Sequence, residues 1–434
     1  MPDVAFLRIF PSAGGIRYHG GAVHGRAGAP PGAFSQTMGE RLDSLEQFGI
    51  EVILNRRRGF RAGLLRGLLR TLSGVFAGMV QGRLALFRNR VKTDHYLGAM
   101  VVSVGNLTVG GTGKTPVVEM LARRLHSEGR RVAILSRGYK SKKPALSRRL
   151  WYRFTGRTME IPPRVVSDGL EIRLDSFTAG DEPYMLARNL PGVAVVVDKD
   201  RVKAGRYAVR ELGCDTLVLD DGLQYLRLRR RLDVVLVDRQ APFGNEHLLP
   251  RGTLREPPRN LRRASHIFLT KCDDRSNDEL IARLRRHNRT ASIMECRHRP
   301  VYLQNVYDPH DRQELDFLDG KKVATISGIA VPESFEGILD KLGAVIVVRR
   351  RFTDHHRYTE DEVNEAILRA DDKLAHFVVT TEKDAVRFPA FEKTLLPVYF
   401  LRVEIEILRG HEAVDECIQR ICHPQGAAPP MKFA

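Results

Sequence analysis

The amino-acid sequence predicts an α/β protein with a doubly wound, mostly parallel sheet, a second, smaller α/β domain and an N-terminal amphipathic helix. Short apolar runs alternate with helical stretches between residues 99 and 298: MVVSV, RVAIL, VAVVV, TLVLD, VVLVD and HIFLT. Runs that are apolar throughout are typical of parallel strands covered on both faces. Residues 299–422 form the smaller domain, with a helix at Thr359–Ala370 and these strand candidates: KKVATISGIA, AVIVVRRRF, HFVVTT and LPVYFLRVEIEI.

The composition indicates a basic, globular protein that binds anionic partners. The 434 residues include 70 Lys and Arg against 52 Asp and Glu, a formal charge of +18. Neither zinc-finger spacing nor an aromatic RNA-binding strand is present, so we expect no nucleic-acid partner. The five cysteines form no Cys-x-x-Cys pair, which favours a reducing cytosol. No uninterrupted apolar segment approaches the roughly 20 residues of a transmembrane helix, so we expect no membrane span.

Both ends of the chain are expected to be disordered. Residues 1–37 are rich in Gly, Ala, Pro and His and lack an apolar period, and Met38 is a candidate for the true start. The tail at 423–434 has a similar character. Between them and the sheet, residues 38–98 form an N-terminal helical segment.

Within that segment, apolar residues recur at helical spacing from Phe60 to Val80, while Arg66 and Arg70 fall outside the apolar stripe. A basic amphipathic helix of this kind can lie in an anionic membrane interface. The alternative is a helix that packs on the next domain. The residues alone leave both open.

The stretch TVGGTGKTP, which follows the run MVVSV, predicts a phosphate-binding P-loop and hence a P-loop NTPase-like sheet. Its glycines let backbone N–H groups approach phosphate, and the following helix adds its positive end. Lys114 would reach the β- and γ-phosphates, and Thr115 would bind Mg²⁺. The strict pattern requires glycine at Thr108, so the match is imperfect. The nucleotide-binding residues are Thr108, Val109, Gly110, Gly111, Thr112, Gly113, Lys114 and Thr115.

Acidic residues in two other segments suit a phosphoryl-transfer site. The run TLVLD ends in Asp220 and Asp221, where a P-loop protein carries its metal-binding aspartate, and either of the two could touch the metal. Asp181 and Glu182 open a predicted helix in AGDEPYMLA, although acidic residues also favour helix starts for structural reasons.

The SRGYK segment lies at a strand end, where ligands collect in open α/β sheets. It carries Arg137 and Tyr139 into the loop region.

Together these segments resemble the tetraacyldisaccharide 4'-kinase family, the lipid A 4'-kinases of Gram-negative bacteria. Eight segments match in the family's order between about residue 58 and about residue 405: SVGNLTVGGTGKTP, LSRGYK, GDEPYMLAR, LDDGLQ, LLPRGTLREP, SGIAVPESF, FTDHHRY and TEKDAVR. The family's loop is similar to TVGGTGKT, with a small hydroxyl residue at the position of Thr108.

The resemblance implies transfer of the ATP γ-phosphate to the 4'-hydroxyl of tetraacyldisaccharide 1-phosphate, giving lipid IVA, with ATP and Mg²⁺ as cofactors. It implies Asp181 as the catalytic base, with His355 as its partner in preference to His356, and Lys114 at the phosphates. The implied metal residues are Thr115, Asp220, Asp221 and Glu182. The implied substrate residues are Asn106, Arg137, Tyr139, Gln224, Arg255 and Glu256.

Because the substrate's acyl chains remain in the membrane, the resemblance also implies a peripheral enzyme on the cytoplasmic face of the inner membrane, and we expect a monomer. Basic side chains near such a surface contribute about 1 kcal/mol each. This favours the membrane-apposed reading of the 60–80 helix. The arginine-dense stretch at 227–233 could line the phosphate site or form a solvated turn.

Two other functions remain open on the residues alone. Thr270-Lys271-Cys272-Asp273 follows the run HIFLT and mimics a guanine-reading motif, which would suit a P-loop GTPase of metallochaperone or switch type. The net charge alone would suit a nucleic-acid-binding ATPase.

Overall fold

The computed structural model describes residues 48–49, 51–53, 55–138 and 162–423. The extension at 1–37, the candidate start Met38, the predicted substrate residue Tyr139 and all but the first residue of the 423–434 tail lie outside the described residues.

In the described part of the chain, thirteen strands form one sheet. Twelve of them follow the order β11-β10-β12-β13-β8-β7-β6-β1-β5-β2-β4-β3, and β9 pairs with β8. The strands are β1 (Met100–Asn106), β2 (Val132–Ser136), β3 (Arg164–Asp168), β4 (Ala194–Val197), β5 (Thr216–Asp220), β6 (Leu232–Asp238), β7 (His266–Thr270), β8 (Ser292–Asn305), β9 (Arg312–Gln313), β10 (Lys322–Ser327), β11 (Val345–Arg351), β12 (Phe377–Thr381) and β13 (Val398–Arg409).

Helices connect the parallel strands and cover the sheet. They are α1 (Phe60–Arg88), α2 (Lys114–Ser127), α3 (Ser176–Ala179), α4 (Asp181–Asn189), α5 (Arg201–Arg210), α6 (Asp278–Arg285), α7 (Pro332–Lys341), α8 (Glu360–Asp372), α9 (Glu382–Ala385) and α10 (His411–Cys422), with 3₁₀ helices at Pro258–Arg263 and Leu315–Leu318. Thr359 caps α8 in a reciprocal pair with Glu362, which explains why the helix begins where its sequence predicts.

The mostly parallel α/β sheet is confirmed. All six apolar runs between residues 99 and 298 are strands, and so are the four candidates after residue 299. Two pairs in the main order are antiparallel: the edge pair β3–β4, and β8 with β13. The long strand β8 continues across residues 298 and 299, so the two predicted domains share one sheet, and the division between them remains a prediction.

The core lies on both faces of the central strands. On one face, Val117 and Leu121 of α2 pack against Val104 of β1. On the other face, Val202 and Ala208 of α5 pack with residues of β2, β4 and β5. Because β1, β5 and β2 are adjacent and parallel, their carboxyl ends meet at one edge of the sheet.

Helix α1 packs on the chain segment at 245–263 and also exposes an apolar stripe. Ser73 is buried and donates to the Leu248 carbonyl at 2.8 Å, while Gln81 bonds Asn260 at 3.2 Å. On the open side, Phe60, Leu64, Leu68, Val75 and Met79 are each more than half exposed. The packing predicted by one alternative is therefore present, while contact of the exposed stripe with a membrane stays a prediction.

Among the described residues, α1 alone is long and apolar enough to cross a membrane by length and composition, and only 6% of its apolar window is buried. This qualifies the expectation that no segment approaches that length. On one side, however, α1 contacts the protein.

Candidate active site

The phosphate loop joins the end of β1 to the first residue of α2, Lys114. Gly113 precedes that residue with φ 77°, a left-handed backbone that favours glycine. A Cβ at Gly113 would also lie 2.7 Å from the ring of His298 on β8. Both the backbone conformation and the close approach of β8 therefore favour glycine at this position. The approach of β8 could not be predicted from the sequence.

Side chains brace this loop from inside the protein. Asn106 Nδ2 donates to Thr112 Oγ1 at 3.0 Å, and Lys114 Nζ donates to Asn106 Oδ1 at 3.3 Å. Thr270 Oγ1, at the end of β7, donates to the Thr112 carbonyl at 2.9 Å. Asn106, a predicted substrate residue, is buried beneath the loop, where it orients the lysine.

Thr108 is compatible with this loop because its backbone does not need glycine. It forms an antiparallel bridge with Leu254, and Val109 N–H donates to the Thr253 carbonyl at 2.7 Å. The segment is thus extended at the point where the strict pattern has glycine. Thr108 is buried, so its Cβ is accommodated.

Asp220 is a buried carboxylate at the end of β5. Its Oδ2 accepts a hydrogen bond from Ser136 Oγ at 3.1 Å. Burial, together with the charges of the neighbouring Glu182 and Asp221 carboxylates, raises the pKa of Asp220 to about 6. A buried acid beside two other acids suits a site that receives a cation.

By themselves, no three His, Cys, Asp or Glu side chains in the described ranges are close enough to hold a metal ion. A magnesium ion in a P-loop site takes few protein ligands and completes its shell with phosphate oxygens and water. The arrangement around Asp220 fits that mode of binding.

Asp221 is held by basic groups instead. Both of its oxygens lie 2.8 Å from Arg255 Nη1, and Oδ1 lies 3.8 Å from Lys114 Nζ. Burial would raise the pKa of Asp221, but the charges of Arg255 and Lys114 outweigh it and hold the pKa well below its usual range. Of the two aspartates, Asp220 is therefore the one less engaged by cations of the protein.

Asp181 and His355 meet although they are 174 residues apart. His355 Nδ1 lies 3.2 Å from Asp181 Oδ2, and Arg357 Nη2 lies 3.0 Å from Asp181 Oδ1. The neighbouring His356 bonds Glu362 at 2.9 Å and stacks on a phenylalanine. The structure thus brings His355, and not His356, to Asp181.

A third basic residue, Arg387, was not predicted. Its Nε donates to Asp181 Oδ2 at 2.8 Å, and its Nη1 donates to Asp384 Oδ1 at 3.0 Å. Burial would raise the pKa of Asp181, but the hydrogen bond with His355 and the charges of Arg387 and Arg357 lower it to about 2. Arg387 lies in TEKDAVR, a matching segment in which nothing indicates its role.

The same segment reaches Glu182, the residue after Asp181. Lys383 Nζ lies 3.1 Å from Glu182 Oε1. Burial would raise the pKa of Glu182, but Lys383 and then Lys114 lower it. Because Lys114 acts on Glu182, the start of α4 and the phosphate loop belong to one electrostatic site.

The remaining predicted substrate residues lie in different environments. Gln224 Nε2 donates to the Asn106 carbonyl and to Glu256 Oε1, each at 3.1 Å. Glu256 is buried and also accepts from Asn260 at 2.7 Å and Arg263 at 2.5 Å. Arg137 is exposed at the end of β2. Glu256 is therefore positioned to orient Gln224 through the hydrogen bond that it accepts.

The arginine-dense stretch at 227–233 contributes mainly to structure. Arg229 pairs with Asp94, and Arg227 pairs with Asp200. Arg230 is fully buried and donates to the carbonyls of Gly222 and Leu223, both at 3.0 Å. The stretch was predicted either to line the phosphate site or to form a solvated turn. Neither prediction describes Arg230, which is buried and stabilises the turn that follows Asp221.

The guanine-like motif is also explained by internal contacts. Lys271 bonds Asp238 at 2.6 Å, and Asp273 bonds Arg239 at 3.0 Å. Thr270 also donates to the phosphate loop. These residues therefore stabilise the carboxyl ends of β6 and β7 and the loop beside them.

Comparisons with known proteins show the family to which the chain belongs. The family model of LpxK, tetraacyldisaccharide-1-P 4'-kinase, matches residues 65–423. A tetraacyldisaccharide 4'-kinase of Anaeromyxobacter sp. (strain K) is 42% identical over 377 residues, covering 85% of this chain and 94% of that protein. One of Geobacter sulfurreducens is 38% identical over 351 residues, covering 81% and 92%. A crystal structure of LpxK from Aquifex aeolicus in complex with ATP has a TM-score of 0.63 and 28% identity, covering 83% of this chain and all of that one.

Proposed function

The chain belongs to the tetraacyldisaccharide-1-P 4'-kinase family, and we propose that the residues around Asp181 and Lys114 carry out its phosphoryl transfer. A member of this family is an ATP-dependent kinase of lipid A biosynthesis. The reaction places the ATP γ-phosphate on the 4'-hydroxyl of tetraacyldisaccharide 1-phosphate and gives lipid IVA. The geometry of the described residues does not favour the GTPase alternative, because Asp273 is engaged by Arg239.

The observation that carries the proposal is the contact between Asp181 and His355 beside the phosphate loop. A sugar hydroxyl that attacks phosphorus must lose its proton, and a carboxylate oriented by an imidazole can accept it. Asp181 is the proposed base, and its low pKa keeps it ionised at neutral pH. A strong base is not needed, since protein catalysis of phosphoryl transfer rests mainly on positioning and on charge stabilisation.

Lys114 and the N-terminus of α2 are proposed to hold the phosphates of ATP. When bound, Mg²⁺ would neutralise charge on the phosphate oxygens. Thr115 and Asp220 are the residues proposed to hold it, with Glu182 and Asp221 as the neighbouring acids. Arg255 keeps Asp221 in place and thereby limits its freedom to bind the metal directly.

A peripheral position at the inner-membrane surface, on the cytoplasmic side, completes the proposal. The acyl chains of the substrate keep it in the bilayer, so the site must work at an interface. The exposed apolar stripe of α1, flanked by arginines, supports this placement. We expect the enzyme to act as a monomer.

The test is to incubate the purified protein with ATP, Mg²⁺ and tetraacyldisaccharide 1-phosphate in detergent micelles and to follow the bisphosphorylated product by mass spectrometry. Asp181→Asn is the matched variant, because it removes the base while keeping the side-chain shape. Absence of product from folded wild-type protein would refute the proposed activity. A near-normal rate for Asp181→Asn would remove Asp181 as the base.

A further inference from the structure

A basic site outside the phosphate loop lies between α1 and the segment at 245–255, next to the exposed stripe of α1. A cavity of about 260 Å³ opens there. Two glycines and four basic side chains line it: Gly63, Gly67, Arg66, Arg70, His247 and Arg251. No acidic side chain of the described part of the chain is among its lining residues.

The fold keeps this cavity both open and positively charged. A Cβ added at Gly63 or at Gly67 would meet no atom within 4 Å, so the helix leaves room above its glycines. Arg251 is buried and fixed, because its guanidinium donates to the Ile53 carbonyl at 2.9 Å and to Asn55 at 2.5 Å. Arg66 donates to the Arg57 carbonyl.

The basic groups repel one another in the absence of an anion. Burial lowers the pKa of Arg251, and Arg66 and Arg70 lower it further. Burial also lowers the pKa of His247, as do Arg251 and Arg70, against an opposing effect of Glu246. Glu246 itself is bonded to Arg283 at 2.5 Å. Bringing like charges together at a cavity is costly unless an anion occupies it.

We infer that this cavity binds the phosphate group of a lipid at the membrane surface. Phosphate offers several acceptor oxygens, and guanidinium groups bind it through two parallel hydrogen bonds. The position agrees, because Leu64 and Leu68 lie on the same two turns of α1 and are 70% and 57% exposed. A lipid with acyl chains along that stripe would have its phosphate beside Arg66 and Arg70.

Two sources could supply the phosphate: a phospholipid head group, or the 1-phosphate of the substrate, the second of which rests on the proposed function. The site is separate from the phosphate loop but connected to it. Leu254, at the end of the segment that carries His247 and Arg251, forms a backbone bridge with Thr108. Occupation of the cavity would therefore hold this segment against the nucleotide site.

The experiment compares Arg66→Gln/Arg70→Gln with Arg61→Gln/Arg83→Gln. The control pair removes the same charge from exposed positions of the same helix that do not line the cavity. Gly67→Glu is a third variant, since it places a carboxylate in open space. Thermal unfolding of each variant confirms that it folds.

The first readout is co-sedimentation with vesicles of an uncharged, phosphate-free glycolipid that contain either phosphatidic acid or, at equal charge, a fatty acid. The second is KM for the substrate and for its analogue without the 1-phosphate. Charged hydrogen bonds of about 1.5–3 kcal/mol correspond to losses of about tenfold to a hundredfold.

If the cavity binds a head group, the cavity variants should bind vesicles with phosphatidic acid about tenfold to a hundredfold more weakly than the control pair does. Their binding to vesicles with fatty acid should equal that of the control pair. A substrate site predicts a KM increase of the same size that is absent with the dephosphorylated analogue. If the cavity variants and the control pair behave alike in both readouts, the inference is overturned. A wild-type protein without kinase activity would instead refute the proposed function, and the vesicle readout would still decide the cavity.

Discussion

Replacing Asp220 by asparagine is expected to stabilise the ligand-free protein at alkaline pH while it removes kinase activity. Asp220 is buried beside Glu182 and Asp221, and its pKa is raised from 3.8 to about 6. A carboxyl whose pKa rises on folding contributes stability that is complete below the unfolded pKa. That contribution is lost as the pH rises through the folded pKa.

The shift of about 2 pKa units corresponds to about 3 kcal/mol in total, since one unit is worth about 1.4 kcal/mol. About half of this, near 1.4 kcal/mol, falls between pH 5 and pH 8. At pH 5 the unfolded carboxyl is already ionised, whereas the folded one still holds its proton. The amide of asparagine does not titrate, and its Oδ1 can still accept the hydrogen bond from Ser136 Oγ.

The assay is urea unfolding at pH 5 and pH 8 without nucleotide or Mg²⁺. Wild-type protein is expected to lose about 1.4 kcal/mol more than Asp220→Asn between these two pH values. Titrating groups that do not interact with Asp220 are common to both proteins and cancel in the comparison. Equal pH dependence of the two proteins would show that folding does not raise the pKa of Asp220. It would also remove the main argument for a cation beside this residue.

Further changes test other parts of the site. Lys114→Ala is expected to lower kcat by a factor of about 10²–10³ with an unchanged melting curve, because a charged donor to the phosphates is lost. Asp181→Asn and His355→Ala should each lower kcat by about 10²–10⁴, and the double variant should lose less than the product; multiplicative losses would argue against a dyad. Arg387→Met removes the buried charge that pairs with Asp384 and Asp181 and should cost about 3–5 kcal/mol in urea unfolding, so an unaltered midpoint would contradict the pairing. Deleting residues 38–80 should abolish co-sedimentation with anionic vesicles, and unchanged binding would exclude α1 as the membrane contact.

The strands and the phosphate loop could be predicted because their signals are local. An apolar run identifies a buried strand, and glycines followed by Lys114 identify a loop that opens a helix. The antiparallel pairing of β8 with β13 could not be predicted, because it joins segments about a hundred residues apart. It is this pairing that merges the two predicted domains into one sheet.

The partners of the site residues were beyond sequence reasoning for the same reason. Arg387 lies 206 residues from Asp181, and no local pattern connects them. For Glu256, the sequence identifies the residue but not its role. Its segment matches the family, but only the structure reveals that Asn260 and Arg263 surround it, which makes it a support for Gln224.

The segment TEKDAVR connects the second half of the chain to the proposed base. Glu382 bonds Asn189 at the end of α4, and Arg402 of β13 joins Glu382 to Glu119 on α2. Arg402 is buried, and such a pair is costly to break once formed.

Lys383 and Arg387, from the same segment, hold Glu182 and Asp181 at the start of α4. Residues after 377 are therefore tied to both ends of α4 and, through Arg402, to the helix that begins at the phosphate loop. A shift of the strands β12 and β13 would move the proposed base relative to the phosphates. The position of the base thus depends on contacts that span the whole sheet, which is why a local motif search finds the nucleotide loop but not the residues that orient the base.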